Sequence, residues 1–186
     1  MIKKLHLGCG KRNLKGYIHI DYSSYKHIDY VKPIYPLPFI MDKSIEEIYC
    51  SHALEYYDFQ EAKLVLCEWK RCLCTNGTIR LSVPDFDQLL KVYKLNNFDI
   101  NSILGPLYGK WNTLDDKFIY HKIVYTKKKL ESLLISVGFK SIYQWDPLEF
   151  FGRDLESFDD YSKAYFPHMD FENGIPISIN LIAKKV

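Results

Sequence analysis

Two glycines and an aspartate near the amino terminus have the types and spacing of a nucleoside-binding site. Gly8 and Gly10 form a Gly-x-Gly turn directly after the apolar run Leu5-His6-Leu7. Glycines at the end of a strand let a ligand approach the backbone closely. Asp21 ends the next strand-like run, where a carboxylate accepts hydrogen bonds from ribose hydroxyls in nucleotide-binding folds. The residues therefore predict a site for an adenosine-containing ligand.

The segment that joins this turn to the second strand is unusually short. Only residues 11–17 separate them, whereas a crossover between parallel strands usually takes a dozen residues or more. Asn13 stands where the G-x-G-x-x-G pattern has its third glycine, which serves close helix packing beside a pyrophosphate. A missing first helix disfavours NAD and favours a phosphate-free cofactor such as S-adenosylmethionine. Lys11 and Arg12 are candidates to hold that cofactor's carboxylate.

Three further polar residues are candidates for catalysis. His52 lies at a strand end and His121 in an aromatic loop, and either could take a proton from an attacking hydroxyl or amine. Both could equally be surface or packing histidines. Asp85 follows the fifth strand, where it could face a substrate, cap a helix, or do both.

Two residues beside the glycine turn and the second strand are open to two interpretations. Tyr22 either covers an adenine ring or only packs against the edge of the strand. Cys9 is interpreted as a small residue that fills the turn rather than as a nucleophile. Cys67, Cys72 and Cys74 lack a second Cys or His pair at ligand spacing, so no metal site is expected.

Apolar periodicity predicts a single α/β domain over residues 1–186, with strands that alternate with helices. The predicted strands are 4–7, 18–20, 28–34, 45–50, 78–83, 141–145 and 175–183. One helix is predicted from a capping box at Asp58 and Glu61 to a stop at Asn76-Gly77. Two more are predicted to begin at Asp85 and at Thr126. The segments 96–125 and 146–174 are aromatic and irregular, and we expect them to form ordered lids around a substrate.

Bulk properties narrow the choice of partners. A net charge of +2 provides no strong field for nucleic acid, so none is expected. No run of about 18 apolar residues predicts a membrane span, and the first residues leave no room for a signal peptide. Five cysteines without framework spacing indicate a reducing, cytoplasmic setting. The composition makes no prediction about oligomeric state.

Several segments in order resemble the class I, Rossmann-like, S-adenosylmethionine-dependent methyltransferases. They are Leu5–Gly10, Gly16–Asp21, Pro36–Phe39, Ser51–Glu55, Glu68–Leu73 and Asn76–Asp85. Within that class, the chain resembles short predicted methyltransferases associated with surface-polysaccharide genes. The resemblance implies a three-layer sandwich around a mostly parallel seven-stranded sheet with an antiparallel last strand.

The same resemblance implies roles for particular residues. Leu7, Gly8, Cys9 and Gly10 would contact the methionine part of the cofactor, and Asp21 would hold the ribose. Ser51 and His52 would border the sulfonium end. The chain departs from the pattern at Tyr56, where a histidine is usual. It departs again at 32–34, where an acidic residue often binds the adenine amine and where Asp42 is a weak substitute.

These observations favour methyl transfer from S-adenosylmethionine to an oxygen or nitrogen of a small molecule or glycan. Three alternatives stay open. The first is a methyltransferase-like protein that binds the cofactor or a partner without catalysis. The second is an NAD-dependent oxidoreductase, and the third is a nucleic-acid methyltransferase.

Overall fold

The computed structural model describes residues 3–112, 117–152 and 160–186. Its strands are β1 (Lys4–Leu7), β2 (Ile18–Asp21), β3 (Tyr30–Val31), β4 (Ile45–Ser51), β5 (Leu73–Pro84), β6 (Trp111–Asn112), β7 (Phe118–Ile119), β8 (Phe139–Gln144), β9 (Tyr165–Phe166), β10 (Ile175–Pro176) and β11 (Ser178–Lys185). Its α-helices are α1 (Phe59–Cys72), α2 (Phe86–Leu95), α3 (Leu104–Tyr108), α4 (Lys127–Val137) and α5 (Pro147–Phe151). None of the described helices is long and apolar enough to cross a membrane.

Seven strands form one sheet in the order β3-β2-β1-β4-β5-β11-β8. The strands from β3 to β5 pair in parallel, and β11 is antiparallel to both of its neighbours, β5 and β8. Two small two-stranded sheets, β6-β7 and β9-β10, lie outside it. The mostly parallel seven-stranded sheet with an antiparallel last strand is therefore confirmed.

This topology brings the candidate site residues to one edge of the sheet. The carboxyl ends of parallel strands lie at the same edge, so Gly8, Asp21, Ser51 and Asp85 share it. The antiparallel β11 begins at that edge, where Ser178 pairs with Pro84. Residues far apart in the chain therefore meet there.

One face of the sheet carries the main apolar core, which α1 and α4 cover. In β1 and β4 the side chains alternate, so that Leu5 and Ile48 enter this core and His6 faces the other side. The α1 helix begins as predicted, because Asp58 accepts hydrogen bonds from the Glu61 N–H and Glu61 accepts one from Asp58. The α4 helix also agrees with prediction, with Thr126 as its N-cap and left-handed Gly138 after its last turn.

The opposite face is covered without the crossover helices that a doubly wound sheet normally has. Residues 11–17 and 22–29 form turns and bends only, which confirms that the short first crossover holds no helix. The chain that follows β8 covers this face instead, together with Leu14 and Tyr17 of the first crossover. Tyr49, Trp145 and Ile182 form a second apolar cluster, and Phe151 at the end of α5 packs on it. Short late elements thus replace the missing helices.

Several element boundaries predicted from sequence are wrong, and the strand predicted over 175–183 is divided into β10 and β11. The α1 helix ends at Cys72 rather than at Asn76-Gly77, and β5 begins at once with Leu73. The pairing of β4 with β5 shifts register between Ile45 and Glu47. The residues of β5 between Leu73 and Thr78 therefore have no partner in β4, and one of them, Asn76, has a φ angle of 64°. The Asn-Gly pair therefore forms a bulge inside the strand. The strand predicted over 28–34 is reduced to β3, Tyr30–Val31.

Candidate functional site

The glycine turn after β1 has a conformation and a packing that favour glycine. Gly8 and Gly10 have φ angles of 65° and 53°, in the left-handed region. A Cβ on Gly8 would lie 2.6 Å from the Cβ of Ala53, so the loop after β4 approaches the turn closely. The side chain of Leu7 points into the main core, which leaves only its backbone at this edge. The turn thus presents backbone groups rather than side chains.

Asp21 ties this turn to the end of β2. Its Oδ2 accepts a hydrogen bond from the Gly10 N–H at 2.8 Å, and its Oδ1 accepts one from the Ser23 N–H at 2.7 Å. Each carboxylate oxygen accepts up to two such bonds, so both keep acceptor capacity. Asp21 is therefore buried and fixed, with lone pairs available for hydroxyl groups at the sheet edge.

Cys9 and Tyr22 flank this pair in different environments. Burial and the nearby Asp21 carboxylate raise the pKa of the Cys9 thiol to about 12, which makes it a poor nucleophile. Tyr22 is 54% exposed and follows Asp21 at the rim. Asp42, the weak candidate for binding adenine, forms an ion pair with Arg71 on α1 and is mostly exposed.

Ser51 is held by a buried carboxylate that sequence reasoning did not single out. Asp160 Oδ1 accepts hydrogen bonds from Ser51 Oγ and Tyr49 Oη, each at 2.7 Å, and from the Ser162 N–H. Although burial opposes ionisation, these hydrogen bonds hold the pKa of Asp160 below its usual value. Asp160 therefore fixes the segment after α5 against the end of β4.

Two aromatic side chains lie over the same edge. The guanidinium of Arg12 lies 4.2 Å from the ring centroid of Tyr161. The indole of Trp111 lies 3.6 Å from where a Cβ on Gly10 would be. A ligand that contacts the backbone of Gly10 therefore shares its space with Trp111.

His52 occupies a strained position at the end of β4. Its φ angle is 52°, which is uncommon for a residue with a Cβ. Ser178 Oγ donates to the Tyr161 carbonyl at 2.7 Å, so it accepts from His52 Nε2 at 2.8 Å. Burial lowers the pKa of His52 to about 3, so the ring is neutral at pH 7. Its proton is therefore on Nε2, and Nδ1 carries a lone pair.

The two predicted histidines meet at Glu55, which follows the end of β4. Glu55 Oε1 lies 3.6 Å from His52 Nδ1 and 3.6 Å from His121 Nε2. The carboxyl group is fully buried, and both of its oxygens lack a hydrogen-bond partner in the described structure. Burial raises the pKa of Glu55 to about 8 and lowers that of His121. The structure thus joins residues that are distant in sequence into one buried cluster.

His121 is fixed by close contacts from the segment around α3. A Cβ on Gly109 would lie 1.8 Å from His121 Nε2, so only glycine fits there. Tyr56 packs edge-on against the imidazole, with ring centroids 4.8 Å apart, and its hydroxyl donates to the Gly109 carbonyl. The residue that replaces the family's usual histidine therefore helps to hold His121.

Asp85 combines a capping role with a place beside a groove. Its carboxylate accepts from the Asp87 and Gln88 N–H groups at the start of α2. Burial raises the pKa of Asp85. The groove next to it has an apolar lining apart from one imidazole, and it is lined by Pro84, Phe86, Leu89, Pro106, His121, Ile123 and Val124. This groove is the candidate place for an acceptor.

Sequence reasoning found the histidines and the glycine turn but missed what connects them. Glu55 lies within Ser51–Glu55, one of the segments that resemble the methyltransferases, yet nothing in the local sequence indicates that its carboxyl is buried against His121. Asp160 and Trp111 come from the irregular segments, where no periodicity locates a residue. A carboxylate in an otherwise apolar run, as in Ala53-Leu54-Glu55, was the one available signal for Glu55.

Comparison with known proteins identifies the fold. No protein-family model and no curated protein sequence matches the chain. It is similar to a solved S-adenosylmethionine-dependent methyltransferase from Mesorhizobium loti, with 14% identity, a TM-score of 0.57, and 99% of this chain and 91% of that chain covered. A methyltransferase of the same class from Methanosarcina mazei matches with 18% identity, a TM-score of 0.57, and coverages of 99% and 92%.

A third structure shows the same fold with ligands bound. It is the Burkholderia thailandensis 1,6-didemethyltoxoflavin-N1-methyltransferase, with 1,6-didemethyltoxoflavin and S-adenosylhomocysteine. The identity is 10%, the TM-score is 0.55, and the match covers 98% of this chain and 70% of that one. The chain therefore has the Rossmann-like fold of class I S-adenosylmethionine-dependent methyltransferases.

Proposed function

We propose that this protein binds S-adenosylmethionine and transfers its methyl group to an oxygen or nitrogen of a small molecule or glycan. The observation that carries the proposal is the link between Gly10 and Asp21, which sets a glycine turn and a buried carboxylate at one sheet edge, as a site for ribose requires. His52 and His121 stand at that edge, and His121 also lines the groove. The fold's similarity to methyltransferases supports the same reaction.

The residues at the edge fit this cofactor's chemistry. Asp21 keeps acceptor capacity for a ribose diol, and the glycine turn gives access to backbone groups. Arg12 lies beside Gly10 and Tyr161 and is the candidate to bind a carboxylate. Tyr22 at the rim is the candidate to cover adenine. A phosphate-free ligand also suits the helix-free segment 11–17.

When bound, the cofactor supplies an electrophilic methyl group on a positively charged sulfur. The chain's own part is to align the acceptor, exclude water and accept the acceptor's proton. His121 lines the groove and is the candidate base, with His52 behind Glu55. Asp85, whose chain neighbours Pro84 and Phe86 line the groove, is the candidate to orient a polar acceptor.

Calorimetric titration with S-adenosylhomocysteine tests cofactor binding. We expect micromolar binding by the wild type, no binding of NAD, and at least tenfold weaker binding by Asp21→Asn. Asp87→Asn, a change of the same kind on the exposed start of α2, should bind like the wild type. Equal affinity of Asp21→Asn and the wild type would remove Asp21 from the site.

An acceptor panel then separates an enzyme from a binding protein. The panel should contain hydroxyl- and amine-bearing sugars and small aromatic compounds, with S-adenosylhomocysteine formation as the readout. We expect methylated product from at least one of these classes. Tight cofactor binding without product from any of them would favour the non-catalytic alternative.

A further inference from the structure

We propose that Glu55 is a positioning residue that joins His52 and His121 into one proton-accepting unit beside the groove. Its catalytic meaning rests on the proposed function, but the proton sharing itself does not. Glu55 lies in the turn Leu54–Tyr56, directly after β4 and between the two histidines.

Glu55 is a carboxyl group with no conventional partner. It has no exposed surface, and neither oxygen accepts a hydrogen bond from the described residues. Two ionisable side chains lie beside it: His52 Nδ1 and His121 Nε2 are each 3.6 Å from the same oxygen, Oε1. That distance is longer than a hydrogen bond but short enough for strong electrostatic coupling in a buried site.

The tautomer of His52 is fixed from its far side. Ser178 requires the His52 proton on Nε2, so Nδ1 presents a lone pair to Glu55. The Nε2 of His121 lies as close to the same carboxyl oxygen, at 3.6 Å. Ring nitrogens of two histidines therefore lie beside one carboxyl oxygen.

The other groups around Glu55 do not neutralise a negative charge there. Cys50 on β4, Tyr56 in the same turn and Tyr125 before α4 are the further titratable groups that interact with it, and all are acids. Lys122 donates its backbone N–H to the Glu55 carbonyl but turns its ammonium to Glu61. Among the described residues, only His52 and His121 place a basic nitrogen within 4 Å of the Glu55 carboxyl.

These surroundings define the unit's proton balance. Near neutral pH, Glu55 keeps its proton and both histidines are neutral, because burial disfavours every charged form. When Glu55 ionises, its proton leaves to solvent and the unit, a carboxylate with two neutral imidazoles, carries one negative charge. An acceptor O–H or N–H that then gives its proton to the facing nitrogen of His121 or His52 leaves an imidazolium beside the carboxylate, so the buried unit becomes neutral.

Nitrogen and carbon NMR on the full-length protein tests this inference. With ¹⁵N-labelled histidine and ¹³C-carboxyl-labelled glutamate, we expect the ring nitrogens of His52 and His121 and one carboxyl carbon to change together. Their shared midpoint should lie near pH 8. Glu55→Gln should abolish the joint change in both histidines, because a neutral amide cannot ionise.

Glu131→Gln, the same substitution on the surface of α4, is the matched control and should keep the joint change. Independent titration of the two histidines near pH 6.5, or a joint change that survives Glu55→Gln, would overturn the inference. If Glu55→Gln does not fold, the coincidence of carbon and nitrogen midpoints in the wild type still decides it.

Calorimetry on the same samples keeps the two proposals apart. Normal S-adenosylhomocysteine binding together with independent histidines would remove only the role of Glu55. Coupled histidines without any binding would leave the proton sharing intact and remove the proposed function.

Discussion

At the residue scale, the buried carboxyl of Glu55 makes stability depend on pH. Burial raises its pKa from 4.5 to about 8, so the folded state binds more protons than the unfolded state between those values. Stability should therefore fall as pH rises through this window. Each pH unit corresponds to about 1.4 kcal/mol, so the loss between pH 6 and pH 9 is about 3 kcal/mol.

Urea unfolding at pH 6 and pH 9 measures this slope. Glu55→Gln should remove most of the loss, because glutamine resembles the protonated carboxyl and does not titrate. The exposed-site control, Glu131→Gln, should lose as much stability as the wild type. If Glu55→Gln and the wild type had parallel pH profiles, the carboxyl would not be buried in its neutral form.

His52 works in the opposite direction at lower pH. Burial lowers its pKa to about 3, so the unfolded state binds the extra proton between that value and 6.5. Its contribution to stability therefore rises as pH increases from 3 to 6.5. The two pH dependences offset each other between 4.5 and 6.5, so together these groups make the cluster most stable at mildly acidic pH.

At the element scale, the last strand caps the first long helix. Lys185 on β11 donates from Nζ to the carbonyls of Lys70 and Leu73, each at 2.6 Å, at the carboxyl end of α1. A cation there satisfies carbonyls that have no partner within the helix and interacts favourably with the helix dipole. This contact joins the end of the chain to the main core.

Lys185→Met should therefore lower the free energy of unfolding by about 1–3 kcal/mol, since hydrogen bonds to charged groups are the stronger ones. Chemical denaturation at pH 7 provides the measurement. Lys184→Met, at the exposed neighbouring position, removes the same charge without touching α1 and should change stability by under about 0.5 kcal/mol. Equal effects of the two substitutions would rule out the cap.

The elements also show where sequence reasoning succeeds. Local signals located the start of α1 at Asp58 and both ends of α4, because capping chemistry lies within a few residues. Length alone showed that 11–17 holds no helix. The Asn76-Gly77 bulge was misread as a helix end, because both features use a left-handed residue and only pairing with β4 distinguishes them.

At the scale of the whole molecule, the site depends on contacts that no local pattern encodes. Glu55 meets His121, and Ser51 meets Asp160, across long stretches of chain. The order of parallel strands predicts that Gly8, Asp21 and His52 share an edge, but not which side chains from the irregular segments cover it. The histidine pair was therefore predictable as candidates, whereas its link through Glu55 was not.

The cover over the glycine turn leads to a prediction about ligand entry. Trp111 lies against Gly10, whereas Trp69 and Trp145 are buried in the two cores. A ligand that contacts Gly10 must displace or stack on the Trp111 indole, which changes its environment. Saturation with S-adenosylhomocysteine should therefore change the intrinsic tryptophan fluorescence of the wild type.

Trp111→Phe identifies the source of that signal. The variant should lose most of the fluorescence change, while calorimetry still detects S-adenosylhomocysteine binding, because the contacts of Asp21 and the glycine turn do not involve the indole. Trp145→Phe alters a tryptophan that is buried in the second cluster and is not among the atoms near Gly8 or Gly10, so this variant should keep the change. A full signal in Trp111→Phe would mean that the ligand binds away from Gly10, and the glycine turn would then no longer define the cofactor site.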